Sequence, residues 1–492
     1  MMNAFHDFSN CGRINRRTFL ADIGMGFTGL ALGAMLQQEA MATATESRLN
    51  GGVHFPAKAK SVIWLFMLGG VSHMESFDPK PALNRYAGTA INESPFGDEI
   101  LNSPYYRRNV RDFAGTPRAL MSRLYPLQIG YGRRGQSGIE VSDWWPHLSE
   151  CVDDMAIVRS MWTTDNDHAA QTQFHTGRHI FDGTPPSIGS WAHYGLGSLN
   201  DNLPTFVVLG RGPDDCCGGV AAHSGAYLGP EHAGIPLRVD PQNPLPFGTP
   251  GNTVFQQERQ GQLELLRDLN RGTHVEYPND PALQARIQSY ELAARMQMAV
   301  PEVMALNRET SETHRLYGTD NNTTRSFGQM CLAARRLVER GVRFVQLYHG
   351  NGGGGGWDAH SRLRTNHANN CARVDRPIAG LLKDLKRRGL LDETLVVWAS
   401  EFGRTPGAER SDGRDHHPYG FSVWMAGGGL RGGIAHGATD DIGFHAVEHR
   451  HYVTDIHATV LHQLGLDSHR MEIPGRRRLE IDHGEPIRAI IA

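Results

Sequence analysis

Ser61-Val-Ile-Trp-Leu-Phe-Met-Leu68 is a short, unbroken apolar run that stops at Gly69-Gly70. Its length and glycine flank suit a strand better than a helix, and a strand without polar alternation is buried on both faces. Similar runs recur at 205–209, 342–347, 394–399 and 421–426. Between them lie helical stretches at 329–340 and 374–388, the second with apolar residues at Ile378, Leu381, Leu382 and Leu385. Gly341 and Gly389 follow these stretches, where C-terminal caps belong. The alternation predicts an α/β fold, a mainly parallel sheet with helices on both faces. Such sheets bind ligands at the carboxyl ends of their strands, so chemistry is expected there.

Residues near 210–325 break the pattern. Pro241, Pro244, Pro246 and Pro250 mark loops, and a charged helical stretch follows over about 256–306. This segment reads as an insertion or cap on the core, its Met-containing stripe serving packing. The 492-residue chain carries 49 Lys+Arg against 52 Asp+Glu, a net charge of −3, so nothing electrostatic points to nucleic acid or an acidic membrane. With 39% hydrophobic and 21% charged residues, it has the composition of a globular protein with a large core.

Asn15-Arg16-Arg17-Thr18-Phe19-Leu20, the apolar stretch after it and Ala40-Met41-Ala42 read as a twin-arginine signal over residues 1–42. The expectation is a folded domain over 43–492, delivered to the periplasm or beyond by the twin-arginine translocase. Gly24, Gly26, Gly29 and Gly33 interrupt the stretch, which argues against a stable membrane span. Beyond it stand Cys151, Cys216, Cys217, Cys331 and Cys371, an odd set without a Cys-x-x-Cys pair, read mainly as small buried hydrophobes with one or two bridges left open.

Ionisable residues gather beside the strands. Gly69-Gly-Val-Ser-His-Met-Glu-Ser-Phe-Asp-Pro-Lys80 brings His73, Glu75 and Asp78; the run at 342–347 is followed by His349, the glycines 352–356 and Trp357-Asp358-Ala359-His360. Ser400-Glu401-Phe402-Gly403-Arg404-Thr405-Pro406 follows the next run, and Asp415-His416-His417-Pro418 precedes the last. Carboxylates and imidazoles converging on one sheet edge are the ligand types of zinc, manganese or a similar cation. The five glycines lack the features of a nucleotide-binding loop and are expected to form a flexible rim.

These motifs resemble the alkaline phosphatase–sulfatase superfamily. Ser400-Glu-Phe-Gly403 is similar to its strand ending in Ser-Asp-His-Gly, Asp358-x-His360 to its paired ligands, and His417 to its late metal-binding histidine. His168-Ala-Ala-Gln-Thr-Gln-Phe-His-Thr-Gly-Arg178 resembles the helix after a sulfatase nucleophile, and Val453–Leu466 a late sulfatase helix. The nearest resemblance is to the sulfatase-like bacterial family catalogued as domain of unknown function 1501. Its hallmarks are Gly-Gly-x-Ser-His…Phe-Asp-Pro-Lys, Trp-Asp-x-His, Glu-Phe-Gly-Arg-Thr-Pro and Asp-His-His. The chain departs from the superfamily at the nucleophile, whose place falls at Asp167 or His168 instead of a Ser, Thr or Cys, with Thr163 and Thr164 out of register. It also departs at Gly69-Gly70, in place of a ligand Asp, and at Phe402, in place of a ligand His or Asn.

The resemblance implies an exported metal-dependent hydrolase of phosphate or sulfate esters, small or on a polysaccharide, with an altered centre. Asp358, His360, Glu401 and His417 would hold one or two divalent cations (zinc, calcium or manganese), helped by Asp78, His73 or Asp415. His168 would be acid, base or ligand, Arg404 would hold the ester's anionic group, and His416 would be ligand or proton shuttle. The alternative is a non-catalytic exported binding or assembly protein on the same fold; a transferase of phosphate-bearing groups is a third reading.

Overall fold

A computed structural model describes residues 53–103, 123–183, 185–245, 299–350, 354–471, 473 and 484–492, with isolated positions between 261 and 296. The expected signal segment and much of the charged 256–306 stretch lie outside the described residues. The opening apolar run is strand β1, Ser61–Met67. The other strands of its sheet are β2 (Met155–Trp162), β3 (Phe206–Leu209), β4 (Ile235–Leu237), β5 (Phe344–His349), β6 (Thr394–Ala399), β7 (Phe421–Ala426), β8 (Ile434–His436) and β9 (His451–Tyr452). Their order is β8-β2-β7-β6-β1-β5-β3-β4, with β9 also on β2. β1 sits between β5 and β6, parallel to both, with Val62 opposite Phe344 on one side and Leu395 on the other.

One strand is reversed. β7 runs antiparallel to β6 and to β2, so the sheet is mixed and mostly parallel. The residues just before β7 therefore lie at the same edge as those just after β1, β5 and β6.

Helices cover both faces, as the alternation predicts. They are α1 (Ala170–Thr176), α2 (Ile188–Leu196), α3 (Ser311–Tyr317), α4 (Arg325–Glu339), α5 (Leu363–Arg387) and α6 (Val453–Gln463). Successive side chains of a strand point to opposite faces. Ile63, Leu65 and Met67 of β1 accordingly join one core with Leu332 of α4 and Ile378 and Leu381 of α5. Val62, Trp64 and Phe66 join a second core with Phe174 of α1, Ile188 of α2 and Val460 of α6.

The segment from 210 is not wholly an insertion, because β4 extends the main sheet beside β3. Met296, Val300, Val303 and Met304 pack into the first core, the packing role expected of the later part. Among the described residues no cysteines are bridged; Cys151, Cys217, Cys331 and Cys371 are buried and Cys216 is exposed. Among them, too, no helix is long and apolar enough to cross a membrane.

Candidate functional site

The edge is tied together before any ligand atom is placed. Two residues past β1 stands Gly69, with φ of 117°, a conformation that needs glycine, and a methyl there would strike the backbone of Trp357 and Asp358. The Gly69 N–H donates to both Glu401 oxygens, at 2.8 and 3.0 Å. The Gly70 and Val71 N–H groups donate to Ser400 Oγ, each at 3.1 Å. The residues following β6 thus cap the residues following β1. Asn366 and Asn370, in the first turns of α5, donate to Gly356 O at 3.0 and 2.8 Å and hold the end of the glycine loop.

On this frame three imidazoles turn their Nε2 atoms toward one carboxylate. His168 Nε2 lies 3.3 Å from Asp358 Oδ2, while His360 Nε2 and His416 Nε2 lie 3.1 and 3.2 Å from Asp358 Oδ1. His360 Nε2 and His416 Nε2 are 3.0 Å apart. The far nitrogen of each ring is held by an oxygen: His168 Nδ1 by Glu401 Oε1 at 3.0 Å, His416 Nδ1 by Asn166 O at 2.8 Å, and His360 Nδ1 by Glu409 Oε2. A carbonyl only accepts, so the His416 proton sits on Nδ1 and its Nε2 presents a lone pair to Asp358.

Burial lowers the His416 pKa to about 3 against the pull of Asp358, which keeps the ring neutral. Burial also opposes charge on His168, but the Asp358 and Glu401 carboxylates outweigh it and raise that ring to about 9. Asp358 itself lies well below the usual carboxylate range, burial being overcome by His168, His360, His416 and Arg404. The hydrogen bond to Asp358 pulls His360 upward.

This donor set fits a cation. His168, Asp358 and His416 present ligand atoms within 4.8 Å of one another, and His360, Asp415 and His416 form an overlapping group. Zinc bonds of about 2.0–2.1 Å to nitrogen place neighbouring tetrahedral ligands about 3.3–3.4 Å apart. The separations here are 3.0 to 3.3 Å. His168 Nε2 and Asp358 Oδ2, 3.3 Å apart, are close enough to share one cation in place of the proton between them. Oxygens that fix the far nitrogens of imidazoles are the usual outer support of metal-bound histidine. Asp358 and His360 keep 24% and 27% of their side chains exposed, so the cluster opens on their side.

The structure brings together six of the expected site residues: His168, Asp358, His360, Glu401, Arg404 and His416. It gives two of them other surroundings than a ligand or an anion holder would have. Glu401 is fully buried, with its oxygens taken by Gly69 N, His168 Nδ1 and Gln171 Nε2, so it orients His168. Arg404 is fully buried too: its guanidinium donates to Gly70 O at 2.9 Å, Arg414 O at 3.0 Å, Asp358 Oδ1 at 2.8 Å and Gly69 O. With its donors aimed inward, it positions Asp358 rather than receiving a substrate anion. Asp415 borders the cluster, 3.6 Å from His360 Nδ1.

Asp78, His73 and His417 are placed elsewhere. Asp78 pairs with Lys80 at 3.0 Å and accepts from Thr439 Oγ1, a buried structural pair. Gly403–Arg404 and His416–His417 form a two-stranded ribbon in which His416 faces Arg404 and His417 faces Gly403. Because adjacent strand residues alternate sides, His416 reaches the cluster while His417 turns away to Phe444 O. His73 Nε2 donates to Gly443 O at 2.9 Å, also away from the cluster.

The described end of the glycine run, Gly354–Gly356, is packed rather than a loose rim. A methyl on Gly354 would run into the His168 ring, and Gly354 O accepts from Gln171 Nε2 at 2.7 Å. Glu409, Asn166 and Gln171 are the supporting residues that the sequence did not single out. Asp165, which pairs with His179 at 3.2 Å and accepts from Asp167 N at 3.0 Å, shapes the turn that presents Asn166 O. No motif marks Glu409 or Asn166, and Gln171 stands inside the His168–Arg178 motif without a ligand's character, because it acts only through the Glu401 carboxylate.

The fold and site together define an α/β protein with an imidazole–carboxylate cluster at the carboxyl edge of a mixed sheet. Residues 59–491 match the family described as "Protein of unknown function (DUF1501)", and the chain belongs to that family. No curated protein matches. The chain is similar to a phosphonate monoester hydrolase from Silicibacter pomeroyi, with 13% identity over 70% of this chain and 71% of that one, at a TM-score of 0.33. It is similar to a TAB5 alkaline phosphatase variant with Mg bound, with 13% identity over 84% and 99% of the two chains and a TM-score of 0.33. It is also similar to the PsFucS1 sulfatase from Pseudoalteromonas sp., with 12% identity over 87% and 72% and a TM-score of 0.33. None of these likenesses bears on activity.

Proposed function

We propose that this chain is a metal-dependent hydrolase of phosphate or sulfate esters, exported by the twin-arginine route to the periplasm or beyond. The observation that carries the metal is the convergence of His168, His360 and His416 Nε2 on Asp358, each ring fixed from behind by an oxygen. The ester class rests on the resemblance of the sequence motifs to those of phosphatases and sulfatases.

Asp358, His168, His360 and His416 would hold a divalent cation, which supplies Lewis acidity and lowers the pKa of water to about 7. Glu401 and Glu409 hold two of the imidazoles in their binding tautomers, and Arg404 fixes the Asp358 carboxylate. Neither Thr163 nor Thr164 replaces the missing nucleophile, since both hydroxyls are engaged by Gln173. Thr163 Oγ1 donates to Gln173 Oε1 at 2.6 Å, and Thr164 Oγ1 accepts from Gln173 Nε2 at 2.8 Å. In this reading water would be the attacking group, and His168 would act as a ligand through Nε2, its Nδ1 being held by Glu401.

Elemental analysis of the purified chain, with a screen of phosphate and sulfate esters, tests this reading. Stoichiometric metal that disappears in Asp358→Ala and His416→Ala, together with metal-dependent ester cleavage, is the expected result. A well-folded, metal-free chain without esterase activity overturns it in favour of a non-catalytic exported binding protein, the reading that the absent nucleophile favours. Export is tested by Arg16→Lys with Arg17→Lys, which should leave the chain in the cytoplasm.

A further inference from the structure

Cys216 and Cys217 are adjacent in the chain and differ in surroundings: Cys216 is exposed, and Cys217 is 3% exposed. Their sulfurs are 2.9 Å apart. That is closer than unbonded sulfurs rest without an S–H···S contact, and only about 0.9 Å longer than a disulfide bond. The turn bearing them, Asp215–Cys217, is seated on α1: Thr172 Oγ1 donates to Cys217 O at 2.8 Å, and a methyl on Gly218 would run into Thr172 Oγ1. Gly218 and Gly219 follow at φ of 108° and 50°, so the chain leaves the pair through two residues free of Cβ strain. The fold therefore holds the two thiols side by side, one open to solvent and one shielded.

We propose that Cys216 and Cys217 form a dithiol–disulfide site, oxidised by exchange with a small-molecule disulfide and reduced by a small-molecule thiol. In the first step the Cys216 thiolate attacks one sulfur of the small disulfide, forming a mixed disulfide and releasing one thiolate. In the second step Cys217 attacks Cys216 Sγ and hands its proton to the departing sulfur, forming the Cys216–Cys217 bond and releasing the second thiol. The two cysteines lose two electrons and two protons, and the small disulfide leaves as two thiols. Neighbouring Cα atoms across a trans peptide are about 3.8 Å apart, below the roughly 4.4–6.8 Å usual for disulfides. The bond is thus strained and easily reduced, which makes the site a reversible one rather than a structural staple.

The pair differs from the chain's other described cysteines, since Cys151, Cys331 and Cys371 are buried. Its test reads the two thiols directly and does not depend on metal or activity. The full chain is incubated with oxidised glutathione, alkylated and digested with trypsin without reduction. The peptide from Gly212 to Arg238 contains only these two cysteines. It should appear unalkylated and lighter by two hydrogen atoms, and dithiothreitol should restore both thiols. The closed fraction, expressed as an equilibrium constant, should be at least tenfold larger in the native chain than in the urea-unfolded one. Cys217→Ser should instead trap glutathione on Cys216. A doubly alkylated wild-type peptide, a wild-type glutathione adduct that never closes, or equal closure in native and unfolded chains overturns the proposal.

Discussion

At the scale of single residues, the cluster separates the atoms proposed to bind a cation from the atoms that hold them in place. Glu401 never faces the opening, yet it fixes the tautomer of His168. Glu401→Gln keeps the shape and removes the charge, and the expected outcome is a 10–100-fold loss of metal affinity with the fold intact, measured by competition with a chelator. Arg404 is a structural cation whose removal would leave the Asp358 carboxylate and three backbone carbonyls without their donor. Arg404→Ala should cost about 3–5 kcal/mol in denaturant unfolding, and Arg404→Lys should recover only part of it, because an ammonium lacks the planar fork. The residue types of the site were legible from the sequence, since Asp358, His360 and His168 stand in motifs with ligand character. The choice between His416 and His417 was not. It is set by the side alternation of a two-residue ribbon strand that no periodicity announces. Asp78 misled for the opposite reason: a motif aspartate can be spent on a lysine two residues away.

At the scale of elements, β1 and the run of Gly69-Gly70 governed the reading, and both stand where the sequence put them. Gly69→Ala combines a strained φ with a clash against the backbone of Trp357 and Asp358. It should destabilise the chain by more than about 2 kcal/mol, read as a shift of the urea midpoint, whereas Gly88→Ala, with open space around it, should show only the smaller strain of its φ. A Gly69→Ala chain with an unchanged midpoint would show that the loop end moves freely. The direction of β7 could not be read, because an apolar run is the same forwards and backwards. β2 escaped notice because Arg159 and Ser160 interrupt its apolar character.

At the scale of the molecule, two cores on opposite faces leave many imidazoles buried. Burial lowers His73 to about 4 despite the attraction of Asp78, and lowers His457 to about 4 despite a hydrogen bond to Phe174 O. Unfolding returns each to about 6.5, so the unfolded chain binds more protons between pH 6.5 and 4. Stability is full above pH 6.5 and falls as the pH drops, by about 3 kcal/mol per imidazole at pH 4. Thermal unfolding followed at pH 7, 6 and 5 should show a falling midpoint, and His457→Gln should flatten that slope. A midpoint independent of pH would mean that these rings accept protons while folded.

The hydrogen bonds that build the site span the chain. Gly69 and Glu401 are 332 positions apart, and His168 and Glu401 are 233 apart. During synthesis, then, the His168 imidazole waits through 233 further residues, nearly half of the chain, for the Glu401 carboxylate. The imidazole–carboxylate cluster is incomplete until His416 has left the ribosome, so the proposed cation would be taken up only by a nearly finished chain.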